Sequence, residues 1–345
     1  MKIRKTNAGL GALLALALTV LTACGSGDSE KAAVVNGSWE DVVAAGNSEG
    51  QVNLYTVAPS IQSDRVVAAF NQMYPNIKVN VTRGAGELPA RVETEISAGT
   101  DGADVLIYSD PHFFNDIADN LLEINGPNVE GWKDANWQVK GKVIIPTTFP
   151  VTMLVWNTNI FPDGFKNWND LLAPAVKGKL ALKSDVTTSY AAMIDFMERE
   201  LGPDYLKSLG QQDPKYYPSS IPMNQAIASG EVGVTDLSTP SIVKDLQNQG
   251  APVASANPDP GQASAWAAGA IATSKRPNAA RVFTDFLMSR EGQTAINADG
   301  FGAAGRDGIE GSLDLAGWEL FDSTVYAPEK IQEAKAKFDE YFGAA

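Results

Sequence analysis

From Gly50 onward, short apolar runs alternate with stretches whose apolar residues recur every three or four positions, the signature of strands exchanging with helices. Val52 to Val57 reads as a strand, Ala58 to Ser63 as a loop, and Asp64 to Met73 as a helix with Val66, Val67 and Phe70 inward, stopped by Pro75. Asn76 to Val81 reads as a strand, Arg83 to Gly86 as a tight turn, Leu88 to Ala98 as a helix and Ala103 to Tyr108 as a fully apolar strand. A helix near His112 to Asn120 follows, with Phe113, Phe114, Ile117 and Leu121 at core spacing. Gly141 to Ile145 and Val151 to Asn157 read as two strands parted by Pro146 to Pro150. The second half continues with a short helix Trp168 to Leu172, a strand Lys179 to Leu182, and a helix Thr187 to Glu200 capped by Thr187, Thr188 or Ser189. Helix Ile221 to Ser229, strand Val232 to Asp236, helix Ser241 to Asn248, strand Ala265 to Ala272, and helices Asn278 to Ser289 and Pro328 to Phe342 complete the pattern. Such alternation predicts an α/β protein of mostly parallel sheets flanked by helices on both faces.

The segment Val79 to Pro111 is a strand, helix, strand unit, which implies parallel neighbours joined by a right-handed crossover. In such a sheet, ligands sit beyond the carboxyl ends of the strands. Gly84, Ala85, Gly86 and Glu87 follow one strand, and Ser109, Asp110 and Pro111 follow the next, so both loops are expected to face one crevice. Glycines there leave backbone N–H groups exposed, and the helix opening near Leu88 adds its positive dipole end.

At the start of the chain, Lys2, Arg4 and Lys5 precede an apolar run from Leu10 to Leu21 that ends in Leu21-Thr22-Ala23-Cys24. The run is short for a membrane span and reads as an export signal over residues 1–23. The tetrapeptide resembles a bacterial lipobox, which implies cleavage before Cys24 and lipidation of that residue. Cys24 is the single cysteine, so neither a disulfide nor a cysteine metal cluster is open to the chain. Gly25 to Glu30 is small and polar, as a tether is. With 27 basic and 41 acidic residues the net charge is −14, and loss of Lys2, Arg4 and Lys5 would make it more acidic still. Such a surface argues against a nucleic-acid partner, which needs clustered Lys and Arg. The 345 residues are long enough for two lobes, and no repeat or low-complexity run is present.

The order of features after Gly50 resembles the solute-binding proteins of ABC importers, of the ferric-binding type. The resemblance is carried by V-N-L-Y-T-V, G-A-G-E-L-x-x-R-V-x-x-E, A-D-V-L-I-Y-S-D, V-T-M-L-V-W-N-T, N-W-N-D-L-L with K-G-K-L-A-L, A-I-A-S-G-E-V-G-V, and A-A-R-V-F-T-D-F-L-M-S-R-E-G-Q. It implies a two-lobed periplasmic-binding-protein fold of the second type, each lobe a mostly parallel sheet, joined by crossover strands. It divides the chain into residues 24–49 as tether and first helix, 50–146 plus 262–300 as the first lobe, 147–261 as the second, and a 301–345 tail that it assigns to neither. It implies a non-enzymatic, monomeric receptor without a cofactor, exported and held by its lipid on the outer face of the bacterial cytoplasmic membrane. The partners implied are a small-molecule solute, a permease with its ATPase, and the membrane through the anchor.

Carried over position by position, the family's ligand loops fall on Ala58, Pro59 and Ser60, on Gly84 to Glu87, on Ser109 and Asp110, on Thr187, Thr188 and Ser189, and on Ser238 and Thr239. Ferric binders place two adjacent tyrosines after the last of these strands, whereas this chain has Pro240-Ser241 there, and a hard trivalent ion wants anionic oxygen. Hydroxyls and helix N-termini suit phosphate, phosphonate or carboxylate groups. Glu87, Asp110 and Asp236 suit an ammonium group, with Trp266 or Trp156 as an aromatic face, and a zwitterion satisfies both sets. Two alternatives remain at this level. One is a ferric receptor with other ligands, Tyr216-Tyr217 among them, and the other a serine acyl-enzyme built on the S-x-x-K of Ser241 and Lys244. No G-x-S-x-G, H-E-x-x-H or Walker-type loop accompanies the latter.

Overall fold

Alternating and fully apolar runs become strands wherever two helical layers can cover them, and two such sheets form. The computed structural model describes residues 31–84 and 86–343, so Cys24, the signal and tether read over residues 1–30, and Ala85 lie outside the described residues. In chain order the elements are α1 (Trp39–Glu49), β1 (Gln51–Thr56), α2 (Ser60–Met73), β2 (Lys78–Arg83), α3 (Leu88–Ala98), β3 (Val105–Tyr108), α4 (Phe113–Asp116), β4 (Trp137–Val139), β5 (Val143–Pro150) and β6 (Thr152–Asn157). They continue with β7 (Leu180–Lys183), α5 (Thr188–Leu201), α6 (Pro203–Gly210), β8 (Lys215–Tyr217), α7 (Ser220–Ser229), β9 (Val234–Leu237), α8 (Pro240–Asn248) and β10 (Val253–Ala256). The chain closes with β11 (Gln262–Ala270), α9 (Pro277–Met288), α10 (Arg290–Asn297), β12 (Ala303–Ala304), β13 (Glu319–Leu320) and α11 (Pro328–Phe342).

The first sheet runs β12-β5-β11-β3-β1-β2, with β4 added to β5 and β13 to β11; the second runs β10-β6-β9-β7-β8. Each is mixed. β1 is parallel to β2 and β3, and β7 is parallel to β8 and β9, but β5, β6, β10 and most pairings of β11 are antiparallel. β1, β2, β3, β7, β8 and β9 lead into helices, and β5, β6, β10 and β11 are the strands that pass between sheets. Phe70, Phe283 and Phe286 fill one face of the first sheet, with ring centroids 4.9 and 5.2 Å apart, and Leu88, Leu106 and Phe114 fill the other. In the second sheet, Leu180, Leu182 and Met193 lie on one side and Met223, Ile227 and Val243 on the other.

Several boundaries differ from the sequence reading. α2 opens at Ser60 rather than Asp64, because the N–H groups of Gln62 and Ser63 already donate to Pro59 O and the Gln62 side chain is anchored on Ile296 O. β5 runs through Pro146 to Pro150 without the expected loop. Its register with β11 slips between Trp266 and Ala268, so the missing proline N–H falls at an irregularity in the ladder. The helix expected near His112 to Asn120 shortens to α4 and a 3-10 turn at Ala118–Asn120. β2 covers Lys78–Arg83, two residues later than expected, in register with all of β1.

The sheets are joined by β5 to β6 and by β10 to β11. These strands clasp where they cross: Gln262 N–H donates to Thr152 Oγ1 (2.9 Å) and Val151 N–H to Gln262 O (3.0 Å). The tail makes a third crossing. β12 and β13 extend the first sheet, while α11 buries Ala334, Phe338 and Tyr341 against the core of the second. Lys337 Nζ holds it there on Asp195 and Glu198 of α5. The A-A-R-V-F-T-D-F-L-M segment is buried throughout as α9, whose opening N–H groups are received by Glu49 of α1.

Candidate functional site

Register alone gathers the candidate residues. Thr56 is level with Arg83 of β2 and with Ile107 of β3, so the loops leaving these strands share one edge of the first sheet. In the second sheet Lys183 is level with Tyr217, and Ala181 with Thr235, which brings the loops after β7, β8 and β9 to one edge. The two edges approach each other at the starts of α2 and α8. There Ile61, Gln62 and Arg65 face Pro240, Ser241 and Phe301 around a cavity of about 30 Å³.

The helices that open at these edges share a property. No N-cap side chain bonds the first turn of α2, α3, α5, α7 or α8; α4, α6, α9 and α11 also lack such a cap, whereas α1 is capped by Ser38 in a capping box and α10 by Ser289. The first-turn N–H groups that remain, those before Gln62 in α2 and those not replaced by Pro89, Pro222 or Pro240 in α3, α7 and α8, carry the positive end of the helix dipole and are donors available to a ligand.

In the first lobe, Pro59 is the N-cap of α2 and Ser60 its exposed first residue, its Oγ accepting from Arg83 Nη1 at 2.8 Å. Gly84 extends the ladder by donating to Thr56 O, and a Cβ there would lie 2.6 Å from Leu88, so glycine is needed for the close approach of β2 to α3. Gly86 and Glu87 are exposed at the entrance to α3. Ser109 is exposed, while Asp110 Oδ1 accepts from His112 N–H and so shapes the turn into α4. Trp266 is placed in the core instead: it is 7% exposed and wedged between Phe149 and Phe301, so its faces are occupied.

In the second lobe, Thr187 is the N-cap of α5 and Thr188 its first residue, with Ser189 exposed beside them. Ser238 is buried and its hydroxyl donates to Asn224 Oδ1, so its side chain is spent on holding α7. Thr239 is the N-cap of α8, its hydroxyl 3.1 Å from that of Ser241. Asp236 lies inside this lobe at 1% exposure rather than at the edge, and burial pushes its carboxyl up to about 7. Trp156, also buried, packs on Phe165.

Sequence reasoning missed three contributors to this edge. Arg83 ends β2 with an exposed guanidinium whose Nε donates to Ala58 O; its position directly before Gly84 was the available signal. Lys183 ends β7 at 8% exposure with Nζ on Thr187 Oγ1 (2.9 Å), and burial lowers its pKa against the opposing pull of Asp185. Ser219 and Ser220 open α7 after β8, a third hydroxyl pair beside those of α5 and α8. The remaining candidates are engaged elsewhere. Tyr216 donates to Phe342 O and Tyr217 to Glu231, and burial first, then Glu231, holds the Tyr217 phenol up at about 12. His112 Nε2 pairs with Asp322 of the tail at 3.0 Å. No hydrogen bond joins Ser241 to Lys244, and among the described residues no three His, Cys, Asp or Glu side chains gather as a metal site would require.

A family model described as bacterial extracellular solute-binding protein matches residues 58–294. Among solved structures, the chain is similar to the substrate binding protein of the ABC transporter from Agrobacterium tumefaciens, with 17% identity, 85% of this chain and 94% of that one covered, and a TM-score of 0.66. It is similar to the periplasmic binding protein AfuA from Actinobacillus pleuropneumoniae, with exogenous fructose-6-phosphate bound, at 22% identity over 86% and 100% of the two chains and a TM-score of 0.60. Iron-bound HitA from Pseudomonas aeruginosa is similar at 19% identity, 84% and 97% coverage, and a TM-score of 0.59. Comparison with curated proteins gives no match. At these identities the structural likeness is one of fold, the periplasmic-binding-protein fold with its two sheets flanked by helices.

Proposed function

The chain belongs to the bacterial extracellular solute-binding proteins of ABC transporters, and from that premise we propose that it captures a small anionic or zwitterionic solute between its lobes and delivers it to a membrane permease. The observation that carries this reading is the set of uncapped helix N-termini that the two lobes direct to facing edges. A phosphate, phosphonate or carboxylate held there accepts from N–H groups and hydroxyls of both lobes, with Arg83 and Lys183 supplying charge. Glu87, Asp110 and Asp185 at the same edges suit the ammonium end of a zwitterion. The lobes are residues 50–150 with 262–300, and 151–261, the first boundary lying past the expected 146 because β5 stays in the first sheet to Pro150, and lipidation of Cys24 holds the receptor at the membrane. A solute that touches both lobes shifts the population toward a closed state, which the permease then recognises. Catalysis belongs to the importer's ATPase.

Ferric iron is the less supported cargo, since Tyr216 and Tyr217 are engaged by other partners as neutral phenols. A thermal-shift panel of inorganic phosphate, phosphonates, sugar phosphates, amino acids, polyamines and ferric citrate tests the choice. A ligand at 100 times its Kd adds about 2.7 kcal/mol, several degrees in Tm. A rise with a phosphorylated or zwitterionic compound is expected; a rise with ferric citrate alone contradicts the reading.

A further inference from the structure

A second polar cavity lies at the opposite edge of the first sheet. β11 is antiparallel to β3, and its last residue, Ala270, pairs with Val105 at the start of β3, far from the crevice end at Tyr108. Beyond this edge Leu122 N–H donates to Ala270 O and Ile124 N–H to Gly141 O. The chain there, the N-terminal segment at Asn36 and α9 line a half-open pocket of about 310 Å³, within the usual range for a small-molecule site. Its polar walls are Asn36, Glu123, Asn125, Lys142 and Arg281.

Arg281 is only 6% exposed, yet its hydrogen-bond partners are neutral: Nη1 donates to Val35 O (2.6 Å) and Nη2 to Asn125 Oδ1 (2.7 Å). Glu123 lies in the same wall but beyond ion-pair distance of it. Glu123 stabilises the charge only from a distance, a buried charge without a contacting counter-ion is costly, and a guanidinium with five N–H donors retains three after these two bonds. Because Asn125 offers its oxygen to Arg281, its amide N–H groups are free to turn toward the cavity. Lys142 Nζ spends one donor on Ala118 O and adds a second cation. The walls thus carry two cations and one carboxylate on a chain whose net charge is −14.

We propose that this cavity is a binding site, separate from the crevice, for a phosphate-type oxyanion, with Arg281 as the fork that grips it and Lys142 as the second charge. The same chemistry is offered by free phosphate compounds and by phospholipid headgroups. Amide and arginine side-chain NMR signals distinguish this site from the crevice, since they report locally. Inorganic phosphate added to the purified chain is expected to shift the Asn36, Leu122, Asn125 and Arg281 signals. The apparent Kd should weaken at least tenfold in Lys142→Glu and in Arg281→Gln and stay unchanged in Arg83→Ala. Lys142 is only half-buried, so its variant keeps the test valid if Arg281→Gln fails to fold. If phosphate leaves these signals still, but phosphatidylglycerol vesicles and not phosphatidylcholine vesicles retain the parent and release Lys142→Glu, the oxyanion is a headgroup and the site stands. If neither probe acts, or if Lys142→Glu responds as the parent does, the site is overturned.

Discussion

Single residues at the edges of the two sheets divide into those that hold the scaffold and those left over for a ligand. Ser238 and Asp110 show the first kind, each spent on a neighbouring helix, and Ser189 the second, while Arg83 does both, two of its N–H groups tying β2 to Ala58 and Ser60 and the rest exposed. Asp236 belongs to neither. Its carboxyl is fully buried, with its own backbone N–H and the Thr235 hydroxyl as partners, and burial raises it to about 7 in the folded chain against 3.8 when exposed. Below about pH 4 both states are protonated; as pH rises toward 7 the unfolded chain loses its proton first, so stability falls by roughly 4 kcal/mol in all. Asp236→Asn is expected to remove that fall. Urea unfolding at pH 3 and 7.5 should show the variant matching the parent at the lower pH and exceeding it at the higher; parallel behaviour would mean that the carboxyl is already paired. The loops after β1, β2, β3, β7 and β9 were legible in the sequence because glycine, hydroxyl and acidic residues punctuate them. Burial was not. Nothing in the sequence around Trp266 or Asp236 says which face of its strand meets the core, and Lys183 reads as an ordinary strand end until Thr187 is seen above it.

At the level of elements, long amphipathic helices and apolar strands are written in periodicity, so α3, α5, α9 and α11 emerge close to where their patterns lie. Proline misled the reading of β5, since a sheet accepts it wherever the ladder is interrupted, and that interruption is a property of the partner β11. The tail could not be placed from sequence because its partners are distant: β13 joins the first sheet and α11 the second. α11 depends on Phe338, which is 3% exposed and meets Tyr190 and Tyr216 edge-on. Phe338→Ala is expected to cost about 3–5 kcal/mol in urea unfolding; a loss below 1 kcal/mol would show that α11 is not part of the second core. At the entrance of α5 the reverse holds. The Ser189 hydroxyl caps nothing, so Ser189→Ala should leave the ligand-free Tm within about a degree while weakening solute binding.

For the whole molecule, two lobes are joined by two clasped crossovers and a crossing tail, and on the proposed function these serve as the hinge about which a solute at the helix N-termini closes the lobes. On the proposed function, donors on both lobes make one solute the bridge, so affinity should depend on each lobe separately. The most direct test is calorimetric titration of the compound giving the largest thermal shift into the parent, Arg83→Ala and Ser189→Ala. The tightest site is predicted to be the crevice, at least tenfold weaker in Arg83→Ala, where a charge-assisted bond of about 1.5–3 kcal/mol is lost, and measurably weaker in Ser189→Ala on the other lobe, whereas any binding at the Arg281 cavity is unmoved by either change. If either variant binds as the parent does, the solute does not bridge the lobes and the crevice assigned to it is wrong.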